Sequence, residues 1–88
     1  MRIIQILPVI AFGDAIGNHV LALSDAFTRR GYKNKIYAEM VDSRIPKGKA
    51  EHIDYYKEQK GDVILYHMST GSPLNRRVLE YQAPKIMN

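Results

Sequence analysis

The chain has 88 residues, 45% of them hydrophobic and 25% charged, so it is one small domain or part of a larger one, with the composition of a folded rather than a disordered protein. It has no cysteine, which excludes disulfide frameworks, thiolate zinc sites and cysteine nucleophiles. Thirteen Lys and Arg against nine Asp and Glu give a net charge of +4, which favours an anionic surface or ligand without naming one.

Residues 2–8 read as a strand buried on both faces, because Ile3, Ile4, Ile6 and Leu7 form a near-continuous apolar run of the kind parallel sheets carry. The apolar run of residues 6–12 is interrupted by Pro8 and falls far short of the roughly 20 residues that span a bilayer. Gln5 and Pro8 also spoil a secretory-signal reading, and no small-residue cleavage site follows. The stretch Phe12-Gly13-Asp14-Ala15-Ile16-Gly17 is a glycine-marked turn. Ile16, Val20, Leu23 and Phe27 then recur at helical spacing, and Arg29-Arg30-Gly31 ends that helix with cations in the last turn and a glycine after it.

Residues 35–40 read as a second strand, with Ile36, Ala38 and Met40 on one face and Tyr37 on the other. A basic loop through Arg44, Pro46, Lys47, Gly48 and Lys49 follows. Residues 50–59 are expected to form a short polar helix with Ile53 and Tyr56 as its apolar positions, closed by Gly61. Residues 62–66 form the third strand. After a polar loop at residues 67–71, Ser72-Pro73 opens a helix striped by Leu74, Val78 and Tyr81, with Ser72 as its cap. Pro84 stops it, and residues 85–88 begin a fourth strand.

This alternation predicts an α/β fold: a Rossmann-like, three-layer parallel sheet of about four strands with three helices. With the first strand in the middle, the strand order reverses between the first and third strands. Ligands of open α/β sheets bind at such a reversal, over the carboxyl ends of the strands. Residues 12–18 and 67–72 should meet there. A fourth strand with apolar Ile86 and Met87 at its edge is expected to be followed by more chain, since it leaves backbone groups and a sheet face uncovered.

Each candidate residue has two readings. Gly13, Asp14 and Gly17 either bring backbone amides and a helix dipole to a phosphate or simply make a tight strand-to-helix turn; the loop is not G-x-G-x-x-G, and no G-K-[ST] follows. Glu39, 22 residues after Gly17, is either a ribose-binding carboxylate or a solvated strand-end residue. His67 at a strand's carboxyl end is either a base or sugar-hydroxyl partner or a loop histidine bonded to backbone. Ser69 and Thr70 bind polar ligand groups or cap the helix; Asn18 and His19 lie in the first turn beside the crevice. His52 has no assigned role. The three histidines have no metal-ligand spacing, and there is no nucleophile-elbow motif. Arg29-Arg30, Lys47-Gly48-Lys49 and Arg76-Arg77 lack an aromatic stacking platform, so nucleic acid is not an expected partner.

The run from Arg2 to Pro8, the Gly13–Gly17 loop, the helix through Asn18-His19-Val20 to Arg29-Arg30-Gly31-Tyr32, the strand Asp62-Val63-Ile64-Leu65-Tyr66-His67 and residues 85–88 together resemble the amino-terminal domain of glycosyltransferase family 4. The resemblance spans essentially the whole chain. It implies a retaining transferase of GT-B fold that moves a sugar from a nucleotide-diphosphate donor to a glycan or lipid-linked acceptor. It further implies no metal and no separate cofactor, and a cytoplasmic location with association at a membrane surface. By position, Gly13, Asp14 and Gly17 would form the donor-diphosphate loop, and Asn18, His19, His67, Ser69 and Thr70 the acceptor region. Two departures stand out: the loop reads Gly-Asp-Ala-Ile-Gly rather than consecutive glycines, and the carboxy-terminal nucleotide domain with its paired glutamates is absent from these 88 residues. Two other functions compete with it: a dinucleotide-binding oxidoreductase segment using Glu39, and a non-enzymatic interaction domain that pairs, for example as a homodimer, through its last strand.

Overall fold

A computed structural model describes residues 1–68 and 72–88. Its strands are β1 (Arg2–Ile10), β2 (Lys33–Val41), β3 (Glu51–His52), β4 (Asp62–Tyr66) and β5 (Lys85–Met87), and its helices are α1 (Ala15–Arg29) and α2 (Leu74–Leu79). All five strands are parallel, in the order β3-β2-β1-β4-β5. The fold is α/β, with β1 at the centre as its near-continuous apolar run predicts: Ile4, Gln5, Ile6 and Leu7 are all fully buried.

The two faces of the sheet carry separate cores. On one, Leu7, Ile36 and Ala38 pack with Val20 of α1. On the other, Ile4, Ile6, Ile64 and Tyr66 pack with Leu74 and Val78 of α2. Helix α1 ends as the sequence predicts, at Arg29 and before Gly31, whose φ of 84° is a left-handed conformation that glycine adopts without a Cβ penalty.

Three expectations are corrected. There are five strands and two helices among the described residues, because residues 50–59 do not form the expected polar helix. Instead Glu51 and His52 pair with Tyr37 and Ala38 as β3, and a 3-10 turn at Ile53–Tyr55 follows. Two apolar residues three apart, Ile53 and Tyr56, supply less than one turn of buried stripe, too little to hold a helix. Both are nevertheless buried. His52 Nδ1 accepts the Asp54 N–H at 3.0 Å and so caps the turn. Strand β2 is longer than residues 35–40, and Met40 is 65% exposed rather than packed with Ile36 and Ala38. Its register partner Val9 is exposed too, so the apolar cover is interrupted at this pair and resumes at Ile10 and Val41. Finally, β1 runs past Pro8 to Ile10.

At the amino-terminal edge of the sheet the fold is closed by one carboxylate. Asp62 has no exposed side-chain surface and accepts from Arg2 Nε at 2.8 Å and Nη2 at 2.9 Å, from the Tyr56 hydroxyl at 2.7 Å and from the Gln59 N–H at 3.0 Å. Burial alone would raise its pKa, but the Arg2 guanidinium, the Gln59 amide and the Tyr56 hydroxyl hold it at about 2. This clamp joins β1, β4 and the segment after the 3-10 turn. Asp62→Ala leaves Arg2 and Tyr56 without their partner and is expected to cost about 3–5 kcal/mol in a urea-unfolding titration; a loss under about 1 kcal/mol would show that the clamp is dispensable.

Candidate functional site

The crevice at the carboxyl edge begins with a proline. The Ile6 carbonyl accepts the His67 N–H at 2.9 Å. Two residues further along β1, where the same ladder would need an N–H directed at β4, stands Pro8, which has none. The β1–β4 ladder therefore ends at this point. The strands part into a cavity of about 240 Å³ lined by Leu7, Pro8, Asp14, Ile16, His67 and Met68, among others. It lies at the reversal of strand order, where Asp14 and Ile16 from the first expected loop meet His67 and Met68 from the second.

His67 is held by a residue whose role the sequence did not advertise. Gln5, fully buried on β1, donates its amide Nε2 to the Val20 carbonyl of α1 at 3.0 Å. A carbonyl only accepts, so this bond orients the amide and leaves Gln5 Oε1 facing His67 Nε2 at 2.9 Å. Nε2 must then carry the proton, and Nδ1 is the bare, accepting nitrogen. Asn88 Nδ2 stands 3.5 Å from that nitrogen. His67 is 2% exposed, and burial, aided by His19, lowers its pKa. The His19 ring meets His67 edge-on with centroids 6.1 Å apart. At neutral pH the crevice thus contains a neutral imidazole with a fixed tautomer.

The glycine loop is built for close packing. Gly17 is buried, and a Cβ there would collide with the Ala11 carbonyl oxygen, so α1 can sit down on the end of β1 only with glycine at this position. Gly13 takes a φ of 80° to turn the chain. Asp14 is the N-cap residue in an extended conformation, but its side chain makes no capping bond; the residue lines the crevice. Asn18 and His19 are exposed on the first turns of α1. The loop is stapled from outside. Asp42 accepts the Phe12 N–H at 3.1 Å and bonds Arg44 at 2.8 Å, while the Arg44 guanidinium lies 5.6 Å from the centroid of the Phe12 ring. The Arg44 side chain, its amide and the Phe12 amide hold the Asp42 carboxyl well below the usual carboxylate range.

Before α2, Ser72 accepts the Leu74 N–H at 3.2 Å, the bond its expected capping role requires, although the N-cap position itself is taken by Pro73. Its hydroxyl also lies 3.4 Å from Glu39 Oε1, so the Glu39 carboxylate is turned towards α2. The Tyr66 hydroxyl donates to Asn75 Oδ1. Ser69 and Thr70 lie outside the described residues. Among the described residues no group of three or more His, Asp or Glu is placed to hold a metal, and no helix is long and apolar enough to cross a membrane. Compared with protein-family models, curated proteins and solved structures, the chain matches none.

Two outcomes follow from this geometry. Gly17→Ala is expected to lower stability by about 1–3 kcal/mol, as overpacking against rigid backbone does, read as a fall in Tm; an unchanged Tm would mean that α1 does not rest on Ala11. The second concerns pH. Because the folded pKa of His67 lies below its unfolded value of about 6.5, the unfolded chain takes up the proton first. The stability this neutral histidine contributes is full above about pH 6.5 and is lost as pH falls through that value. Unfolding titrations at about pH 7.5 and 5.5 should differ more for the native chain than for His67→Gln; equal differences would contradict a buried neutral imidazole.

Proposed function

We propose that this chain is the acceptor-binding wall of a nucleotide-sugar-dependent retaining glycosyltransferase of the GT-B kind, and that the crevice between β1 and β4 takes a sugar unit of the acceptor. One observation carries the reading: the crevice is lined by two residues with acceptor groups, Asp14, whose carboxylate makes no capping bond, and His67, whose Nδ1 has Asn88 Nδ2 at 3.5 Å as its partner. Acceptors at this spot suit a ligand rich in hydroxyl donors and repel an anion. The resemblance of the whole chain to the amino-terminal domain of glycosyltransferase family 4 agrees in assigning this side to the acceptor. Asp14 argues against the Gly13–Gly17 loop holding a diphosphate unaided, because its charge opposes the anion that the α1 dipole would attract.

In mechanism, His67 Nδ1 accepts a hydrogen bond from one sugar hydroxyl and the Asp14 carboxylate from a second, which orients the ring; Gln5 keeps the imidazole from rotating. The nucleotide donor is held on a second domain, and alignment of donor with acceptor supplies most of the rate. On this reading the 88 residues alone bind weakly and transfer nothing. The chemistry requires no metal and no separate cofactor, and the enzyme works in the cytoplasm at a membrane-linked acceptor.

An amide-resolved NMR titration with short oligosaccharides, a nucleoside diphosphate and NAD tests the reading. Oligosaccharide is expected to shift the signals of Asp14, Ile16 and His67, and Asp14→Ala to weaken that binding on the order of tenfold, the worth of one charged hydrogen bond. Binding of NAD that Glu39→Ala abolishes would overturn the proposal in favour of a dinucleotide site. Absence of any sugar-dependent shift would also overturn it.

A further inference from the structure

The face of the sheet that α1 covers is covered only in part. Beside α1, over β4 and β5, lies an apolar groove of about 550 Å³ whose floor is Ile3, Val63, Leu65 and Ile86 and whose wall is Leu23 and Phe27. Ile86 is 58% exposed. A parallel sheet is ordinarily covered on both faces, so this floor is an unfilled layer. Its width is that of two strands, about 10 Å, which is also the distance between packed helix axes, about 8–10 Å. One helix fits beside α1 and no more.

Charge says what kind of helix. No acidic residue lines the groove, and Arg30 stands at its end. Arg29, Lys33 and Lys60 are exposed at the same amino-terminal edge of the sheet: Arg29 in the last turn of α1, Lys33 in register with Arg2, and Lys60 next to Gly61, whose carbonyl accepts the Arg2 N–H. Among the described residues none of these four cations has an ion-pair partner. Four other cations, Lys47, Lys57, Arg76 and Lys85, are also without a carboxylate partner among the described residues, so what marks this edge is its place at the end of a groove that no acidic residue lines. We propose that the groove over β4 and β5 is a docking surface for an amphipathic partner helix whose apolar stripe fills it and whose acidic end meets Arg29, Arg30, Lys33 and Lys60. A helix carboxyl terminus at that edge would add its own negative dipole end. A second copy of this chain is the poorer occupant, because it carries the same +4 charge.

The probe is a synthetic peptide of about 12 residues, enough at 1.5 Å per residue to cover the roughly 17 Å of a five-residue strand. It carries leucines at helical spacing and glutamates in its last turn; a control peptide has lysines in place of the glutamates. The acidic peptide is expected to shift the amides of Leu23, Val63, Leu65 and Ile86. It should bind at least about tenfold more tightly than the control at low salt, an advantage that shrinks as salt screens the rim. Ile86→Lys should abolish binding while leaving the circular dichroism and Tm unchanged, since the side chain is already exposed. Arg30→Glu should remove the preference for the acidic peptide. Equal affinity for both peptides, or binding of neither, would overturn the proposal. So would a dimer in sedimentation equilibrium that Ile86→Lys dissolves, or Ile86-dependent co-sedimentation with phosphatidylserine vesicles in place of peptide binding.

Discussion

The arrangement of the crevice depends on one amide. Gln5 sits in the middle of the central strand, out of contact with water, where an unpartnered amide would cost several kcal/mol. Satisfying it requires α1 to present the Val20 carbonyl and β4 to end with a hydrogen-bonding group at His67. The same two bonds that relieve the desolvation of Gln5 set the height of α1 on the sheet and choose the tautomer of the histidine. Gly17 makes the first possible by letting α1 approach the Ala11 carbonyl. Pro8 makes the site accessible by ending the ladder one step beyond.

The two edges of the sheet divide the work of the molecule. At the amino-terminal edge, the Arg2–Asp62–Tyr56 clamp satisfies every polar group it buries, which is the character of a structural junction. At the carboxyl edge the polar groups are arranged differently. Asp14 occupies the cap position without capping, Asn88 stands at the outer limit of a bond to His67, and strand ends such as Val9 and Met40 lie open. Groups held in place but short of full satisfaction are those a ligand can engage at low cost. The apolar groove is a third region, on the face of β4 and β5 beside α1, and it ends at Arg30 beside the amino-terminal edge.

How much of this was readable in the sequence depended on how many residues repeated the same signal. Strand β1, strand β4 and helix α1 each carry several consistent positions, and the central placement of β1 follows from its two-sided burial. Strand β3 consists of two residues, and what makes it a strand is its pairing with Tyr37 and Ala38, a tertiary contact that no local pattern encodes. The expected helix at residues 50–59 failed for the same reason, since its two buried residues are claimed by the sheet and by Asp62 rather than by a helical stripe. In the site, His67 was legible from its place at the end of a buried strand. Gln5 was not, although a polar residue inside an otherwise unbroken apolar run is a usable signal, because such a residue must find partners when buried. The capping role of Ser72 was legible from Ser-Pro, whereas its contact with Glu39 depends on how β2 and α2 are brought together.

The protonation state of His67 is the most direct test of this account. A long-range proton–nitrogen spectrum of the imidazoles at neutral pH distinguishes the three forms of each histidine. The account requires His67 to be neutral, with the proton on Nε2 and Nδ1 bare, and requires Gln5→Leu to release that preference. An imidazolium, or a neutral ring protonated on Nδ1, would contradict both the Gln5 relay and the acceptor character of the crevice.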